Sequence, residues 1–146
     1  MPLSEFYEST IVFVSASFGF SGFECPPADI TDLLQLQPAE VMVKGEPRQL
    51  RSNRTIETVE SSWCVTSSCD SKDVNVHLRE LLGRIPDSQF PTPAHFGPPS
   101  FSVVWKGNYL YAGSGPFYES DVLAGISRLG AMLWHDIYQI DDDAEV

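Results

Sequence analysis

The stretch Ile11-Val12-Phe13-Val14-Ser15-Ala16-Ser17-Phe18-Gly19-Phe20 decides how this chain is read. Its first four residues are apolar without a break, and from Val14 onward apolar and small polar residues alternate. A period of two sends successive side chains to opposite faces of a strand, so the segment reads as a strand buried on both faces at its start and on one thereafter. Such a strand belongs in or near the middle of a sheet. Gly19, Gly22, Pro26 and Pro27 then punctuate a turn, and Asp29, Ile30, Leu33 and Leu34 carry the i, i+3, i+4 spacing of a short helix that should stop before Pro38. Val41, Met42 and Val43 resume the extended pattern.

Farther along, Gly45 to Asn53 reads as a loop, and Thr55 to Ser67, centred on Trp63, as extended chain. Asp70 to Asp73 supplies capping side chains for a helix in which Val74, His77, Leu78, Leu81, Leu82 and Ile85 form one stripe before Pro86 ends it. Residues 86–99 hold five prolines and Gly97, the composition of a long connector, with Phe90 and Phe96 expected to pin it to the core. Phe101 to Trp105 and Asn108 to Ala112 read as a β-hairpin about a turn at Lys106-Gly107. Ser120 and Asp121 can cap a third helix with Val122, Leu123, Ile126 and Leu129 facing inward and Gly130 at its end. Met132 to Ile140 is β-rich.

These elements predict one α+β domain over residues 9–140, preceded by a lead of residues 1–8 and followed by an acidic tail of residues 141–146. The expected sheet is mostly antiparallel or mixed, with five to seven strands and three helices on one face. Strand, turn, helix and strand occur in order twice, over residues 11–43 and 101–140, which suggests a pseudo-repeat of split βαβ-like units. The alternation also allows two unrelated halves.

Composition narrows the function. The chain has 146 residues, enough for a domain that buries roughly 70% of its unfolded surface. No run approaches the ~20 apolar residues of a membrane-spanning helix. Nine Lys and Arg against 20 Asp and Glu give a net charge of -11, which weighs against nucleic acid and anionic membranes and points to a basic partner. Residues 11–20 are apolar enough for a signal segment, but they follow Glu5 and Glu8 with no Lys or Arg, whereas a signal peptide needs a positive start. The expected location is the cytoplasm, with Cys25, Cys64 and Cys69 kept as reduced thiols.

The ordered landmarks Ser21-Gly22, Pro27-Ala28-Asp29-Ile30-Thr31-Asp32-Leu33-Leu34, Lys44-Gly45-Glu46-Pro47-Arg48, Trp63, the helix with Leu78, Leu81 and Leu82, and Asp136-Ile137-Tyr138 together resemble a bacterial family, domain of unknown function 4279. The resemblance spans most of residues 11–140 and implies an α+β fold. It carries no established chemistry, so it assigns no catalytic residue. The proline-rich connector and the three Cys depart from it.

Few residue patterns point to a reaction. The hydrolase elbow Gly-x-Ser-x-Gly is absent, since Ser114 lies directly between Gly113 and Gly115, and no phosphate loop, dinucleotide fingerprint or zinc-protease motif occurs. Cys64, Cys69 and His77 are zinc-ligand types without finger spacing or an obvious fourth ligand, so buried thiols and a half-exposed helical His are expected, with no metal and no cofactor. Asp136 between Trp134 and Tyr138 on one strand face is a candidate general acid or a hydrogen-bonding strand carboxylate. Trp63 is expected in the core. Lys44, Arg48, Arg51 and Arg54 concentrate four of the nine basic residues within a short loop, either a grip for an anionic group or a solvated hairpin balancing Glu40, Glu46, Glu57 and Glu60.

The expected function is a non-catalytic protein-binding module, an immunity-like inhibitor of a basic, nuclease-type toxin, because acidic inhibitors speed encounter with such enzymes and mimic phosphate. One alternative is a small enzyme or ligand-binding domain, its pocket lined by Trp105, Tyr109 and Tyr111. Another is a subunit of a larger assembly joined through a sheet edge. The sequence leaves the oligomeric state open.

Overall fold

The alternating stretch forms β1 (Ile11–Ser21), the middle strand of a five-stranded sheet. It was located in a computed structural model, which describes residues 11–86, 93–107 and 116–139. After β1 come α1 (Pro27–Leu34), β2 (Glu40–Met42), β3 (Pro47–Gln49), β4 (Thr55–Glu57), β5 (Ser62–Thr66) and α2 (Val74–Arg84). A 3-10 turn at Ala94–Phe96 leads into β6 (Ser100–Gly107), α3 (Ser120–Arg128) and β7 (Met132–Gln139).

The main sheet has the order β2-β5-β1-β6-β7, while β3 and β4 form a separate two-stranded ladder. β1 runs antiparallel to both β5 and β6, β2 is antiparallel to β5, and β6 and β7 are parallel. The fold is therefore α+β with a mixed sheet. It contains two strand-helix-parallel strand units. In β1-α1-β2 the two strands are held apart by β5, so this unit is split; in β6-α3-β7 they pair directly. The expected pseudo-repeat thus holds in outline, with only its first unit split.

One face of the sheet carries the core. Val14, Ala16, Phe18 and Phe20 of β1, Trp63 and Val65 of β5, and Phe101, Val103 and Trp105 of β6 pack with Ile30, Leu34, Leu78, Leu81, Val122 and Ile126 of the helices. A bulge between Ile11 and Phe13 lets Ile11 and Val14, three positions apart, both reach this side. Trp63 is fully buried, and its indole Nε1–H donates to Thr31 Oγ1 at 2.9 Å, which ties β5 to α1. Asp73 caps α2 by accepting from the Asn75 N–H. Phe96 pins the connector as expected, its ring 5.7 Å from that of Phe20; Phe90 lies outside the described residues.

Several local expectations need correction. Residues 45–53, read as a loop, contain β3 paired with β4, and Cys25, Cys64 and Cys69, expected as buried thiols, are each only half-buried. Lys106 and Gly107 are not a turn: β6 continues through both, paired with β1 and β7. Gly107 is needed there because a Cβ would collide with the Trp105 indole, which folds back over it. His77 is not half-exposed but 1% exposed, because two hydrogen bonds satisfy its ring inside the protein. In α3, Val122, Ile126 and Leu129 face inward at i, i+4, i+7, whereas Leu123 is exposed. That helix has Glu119 at its N-cap, without a side-chain cap bond.

Candidate functional site

The sheet face opposite the helices is open among the described residues, and strand register fixes what stands on it. Phe13, Lys106 and Tyr138 form one row across β1, β6 and β7. The Lys106 ammonium lies 5.8 Å from the Phe13 ring centroid and 5.4 Å from that of Tyr138, a cation shared between two aromatic rings. The next row is Ser15, Val104 and Asp136, and the one after it Ser17, Ser102 and Trp134. Ser17 Oγ meets Thr66 Oγ1 at 3.3 Å, so hydroxyls fill the middle of the face. Trp134 is 61% exposed, Tyr138 50% and Phe13 47%, and Met132 adds a fourth exposed apolar side chain along β7. β7 is an edge strand, with no further neighbour among the described residues.

At the far corner, the connection between β2 and β5 rises into an arm built on the β3-β4 ladder. Its base is closed by Gly45 N–H to Thr58 O and Thr58 N–H to Glu46 O, and Gly45 takes the left-handed φ of 88° that this turn requires. Leu50 N–H bonds Arg54 O near the tip. Lys44 stands at the base, 3.6 Å from Glu24, while Arg48, Arg51 and Arg54 are exposed along the arm. The four basic residues are thus brought to one structure. Beside its base a cleft of about 230 Å³ is lined by Gly22, Phe23, Glu24, Lys44, Glu60 and Ser61. It is smaller than the roughly 300–1,000 Å³ of typical small-molecule pockets.

The buried polar groups are structural. Ser71 O can only accept from His77 Nε2 at 2.6 Å, so Nε2 carries a proton, and Nδ1 shares a hydrogen bond with the Ser67 hydroxyl at 2.7 Å. Ser67 Oγ in turn accepts from Ala16 N–H. This Ser-His pair staples β1 and the end of β5 to α2. Asn75, also fully buried, donates to Phe117 O and accepts from Glu119 N–H, fixing the approach to α3. Above it Arg79 forks onto Asp121 at 2.9 and 3.0 Å and reaches Glu119 at 2.9 Å. The hydrogen bonds from Arg79 hold the Asp121 carboxyl below the usual carboxylate range. Burial, and secondarily the charge of Glu40, push the Cys64 thiol up and away from the reactive thiolate. Among the described residues no group of three or more His, Cys, Asp and Glu is placed to hold a metal ion.

A family model described as domain of unknown function (DUF4279) matches residues 10–140. The chain belongs to the DUF4279 family. No curated protein and no solved structure matches it. In this DUF4279 fold, the landmarks read from the sequence are mostly scaffold: Gly22 and Gly45 are positive-φ turn residues, Trp63, Leu78 and Leu81 are core, and Asp136-Ile137-Tyr138 lies in β7.

The candidate contact residues fall into three groups. Lys44, Arg48, Arg51 and Arg54 lie together on the arm. Asp136 is exposed on the open face beside Trp134 and Tyr138, but Trp105, expected as a pocket wall, is 1% exposed on the opposite, core side of the same sheet. A strand's alternation separates the two: Trp105 is level with Ile137, Asp136 with Val104. Tyr109 and Tyr111, as well as Ser114, lie outside the described residues. Sequence reasoning missed the Phe13-Lys106-Tyr138 row, because it rests on pairing between distant strands that only the register reveals.

Proposed function

We propose that this DUF4279 protein is a non-catalytic binding module for a basic protein, of the immunity type that neutralises a nuclease-like toxin. The observation that carries the reading is the open sheet face, where Phe13, Trp134, Tyr138 and Met132 stand exposed around hydroxyl side chains. Aromatic side chains of this kind are the usual energetic anchors of protein interfaces. Charge supports a basic partner. The described chain hands over to residues 1–10 and 140–146 at the sheet end marked by Ile11 and Gln139, and those segments carry Glu5, Glu8, Asp141, Asp142, Asp143 and Glu145 with no Lys or Arg. The Phe13-Lys106-Tyr138 row lies at that same end. Action in the cytoplasm would keep Cys25, Cys64 and Cys69, none of them paired, reduced.

The test is affinity capture on the tagged chain, followed by reconstitution with the captured protein. A partner of high isoelectric point is expected, its affinity falling at least about tenfold in Trp134→Ala with Tyr138→Ala while the melting temperature holds. Binding that ignores both changes would remove the open face from the interface and return the small-ligand and assembly-subunit readings to the front.

A further inference from the structure

We infer that the basic arm receives the acidic segment Asp141–Glu145 of a second copy, so that the protein associates head to tail; this contact stands without the toxin reading but competes with it for the same carboxylates. Arginines elsewhere in the fold are engaged: Arg79 holds Asp121 and Glu119, and Arg84 holds Glu80. On the arm the nearest polar partner of Arg48 is the Met42 sulfur at 3.3 Å, and Arg51 and Arg54 have no carboxylate partner among the described residues. In a chain with 20 acidic residues against nine basic ones, three arginines on one projecting structure form no salt bridge among the described residues.

The segment that matches them is the acidic tail. Asp141, Asp142, Asp143 and Glu145 place four carboxylates within five positions, with no Lys or Arg among them. Arg48 lies directly across from Ile56, and Arg54 is two residues before Ile56, so both guanidinium stems share one side of the arm. The outer edges of β3 and β4 are free among the described residues, which allows an added strand to gain main-chain hydrogen bonds besides its ion pairs.

Register excludes closure within one copy. Gln139 lies level with Ile11, whereas the arm leaves from the row of Ser21, Ser62 and Met42, at the other end of β1 and on the opposite side of the sheet. The separation is roughly 30 Å along the strands and about 19 Å across them. The seven residues after Gln139 span at most about 25 Å. Each copy therefore offers one arm and one tail to other copies, a contact that either closes reciprocally between two copies or grows into open chains or rings.

Sedimentation of the full chain tests this. At about 0.1 M salt, where net repulsion is screened beyond roughly 10 Å, the weight-average mass should rise with protein concentration, and it should return to that of a monomer at about 1 M, where screening reaches ~3 Å. Arg48→Glu, Arg51→Glu and Arg54→Glu together, or Asp141→Asn, Asp143→Asn and Glu145→Gln together, should each leave only monomer. An equimolar mixture of those two variants should form a dimer and stop there, since only one arm and one tail remain competent. A wild-type chain that stays monomeric at 0.1 M overturns the inference. Association that survives in either variant does the same and points to the β7 edge. Binding of single-stranded RNA through the arm by a monomeric chain would overturn it in favour of a nucleic-acid ligand.

Discussion

Leu81 is fully buried midway along the stripe of α2, a helix that packs on β1 and against α3. Leu81→Ala should therefore lower stability by about 2–5 kcal/mol, the range for truncating a buried leucine, read as a shift in the denaturation midpoint. Two glycines give opposite expectations. A Cβ on Gly19 would strike the backbone carbonyl oxygen of Trp63 and the Cβ of Cys64 on the neighbouring strand, groups that cannot rotate away. Gly19→Ala should cost about 1–3 kcal/mol. Gly83 lies in the last turn of α2 with nothing near its missing Cβ and no positive φ, so Gly83→Ala should gain about 0.5–1 kcal/mol. Paired chemical denaturation of these two variants checks both signs.

Among elements, α2 and α3 are joined by charge as well as by packing, and that makes their junction sensitive to acid. Arg79 hydrogen bonds hold Asp121 down, as described above. Partial burial would raise Glu80, but the Ser68 N–H and hydroxyl and the charge of Arg84 outweigh it and leave the carboxyl lowered. Both groups bind a proton less readily folded than unfolded. Their contribution is thus complete above the ordinary carboxylate range and is lost as pH falls through their lowered folded values, where the unfolded chain has already taken up its protons. A melting temperature followed downward from pH 5 should drop less steeply in Arg79→Met than in wild type; parallel curves would show that the fork adds nothing. The stripe of α2 was legible in the sequence because helical periodicity is local, and Val74, Leu78, Leu81 and Ile85 are buried as it requires. The Arg79 fork was not, since its partners lie some forty residues away. Lys106-Gly107 misled for a related reason: a Lys-Gly pair has turn chemistry locally, and only the Trp105 ring explains a strand glycine there.

At the scale of the molecule, charge is sorted by position: the arm occupies one corner, β7 runs toward Asp141–Glu145 at the diagonally opposite one, and Glu5 and Glu8 precede the start of β1 in the middle of that same sheet end. Raising salt to about 0.5 M, where the screening length is roughly 4–5 Å, should slow association with a basic partner much more than it speeds dissociation. Neutralising Arg48, Arg51 and Arg54 should leave that association intact or faster, because the protein becomes more negative. Stopped-flow rates at two salt concentrations decide it, and abolished binding in the arginine variant would move the partner's contact onto the arm. The place of β1 also governs how the chain acquires its shape during synthesis. The most apolar strand precedes the other described strands, and Ser17 must wait for Thr66 and Ser15 for Val104 before either edge is covered. At about 5–20 residues per second, the ribosome leaves that strand without its second neighbour for roughly 4–20 s. With pairings this distant the sheet closes late and slowly. A nascent chain of this design therefore carries an uncovered apolar strand edge in the interval between its first strand and its sixth.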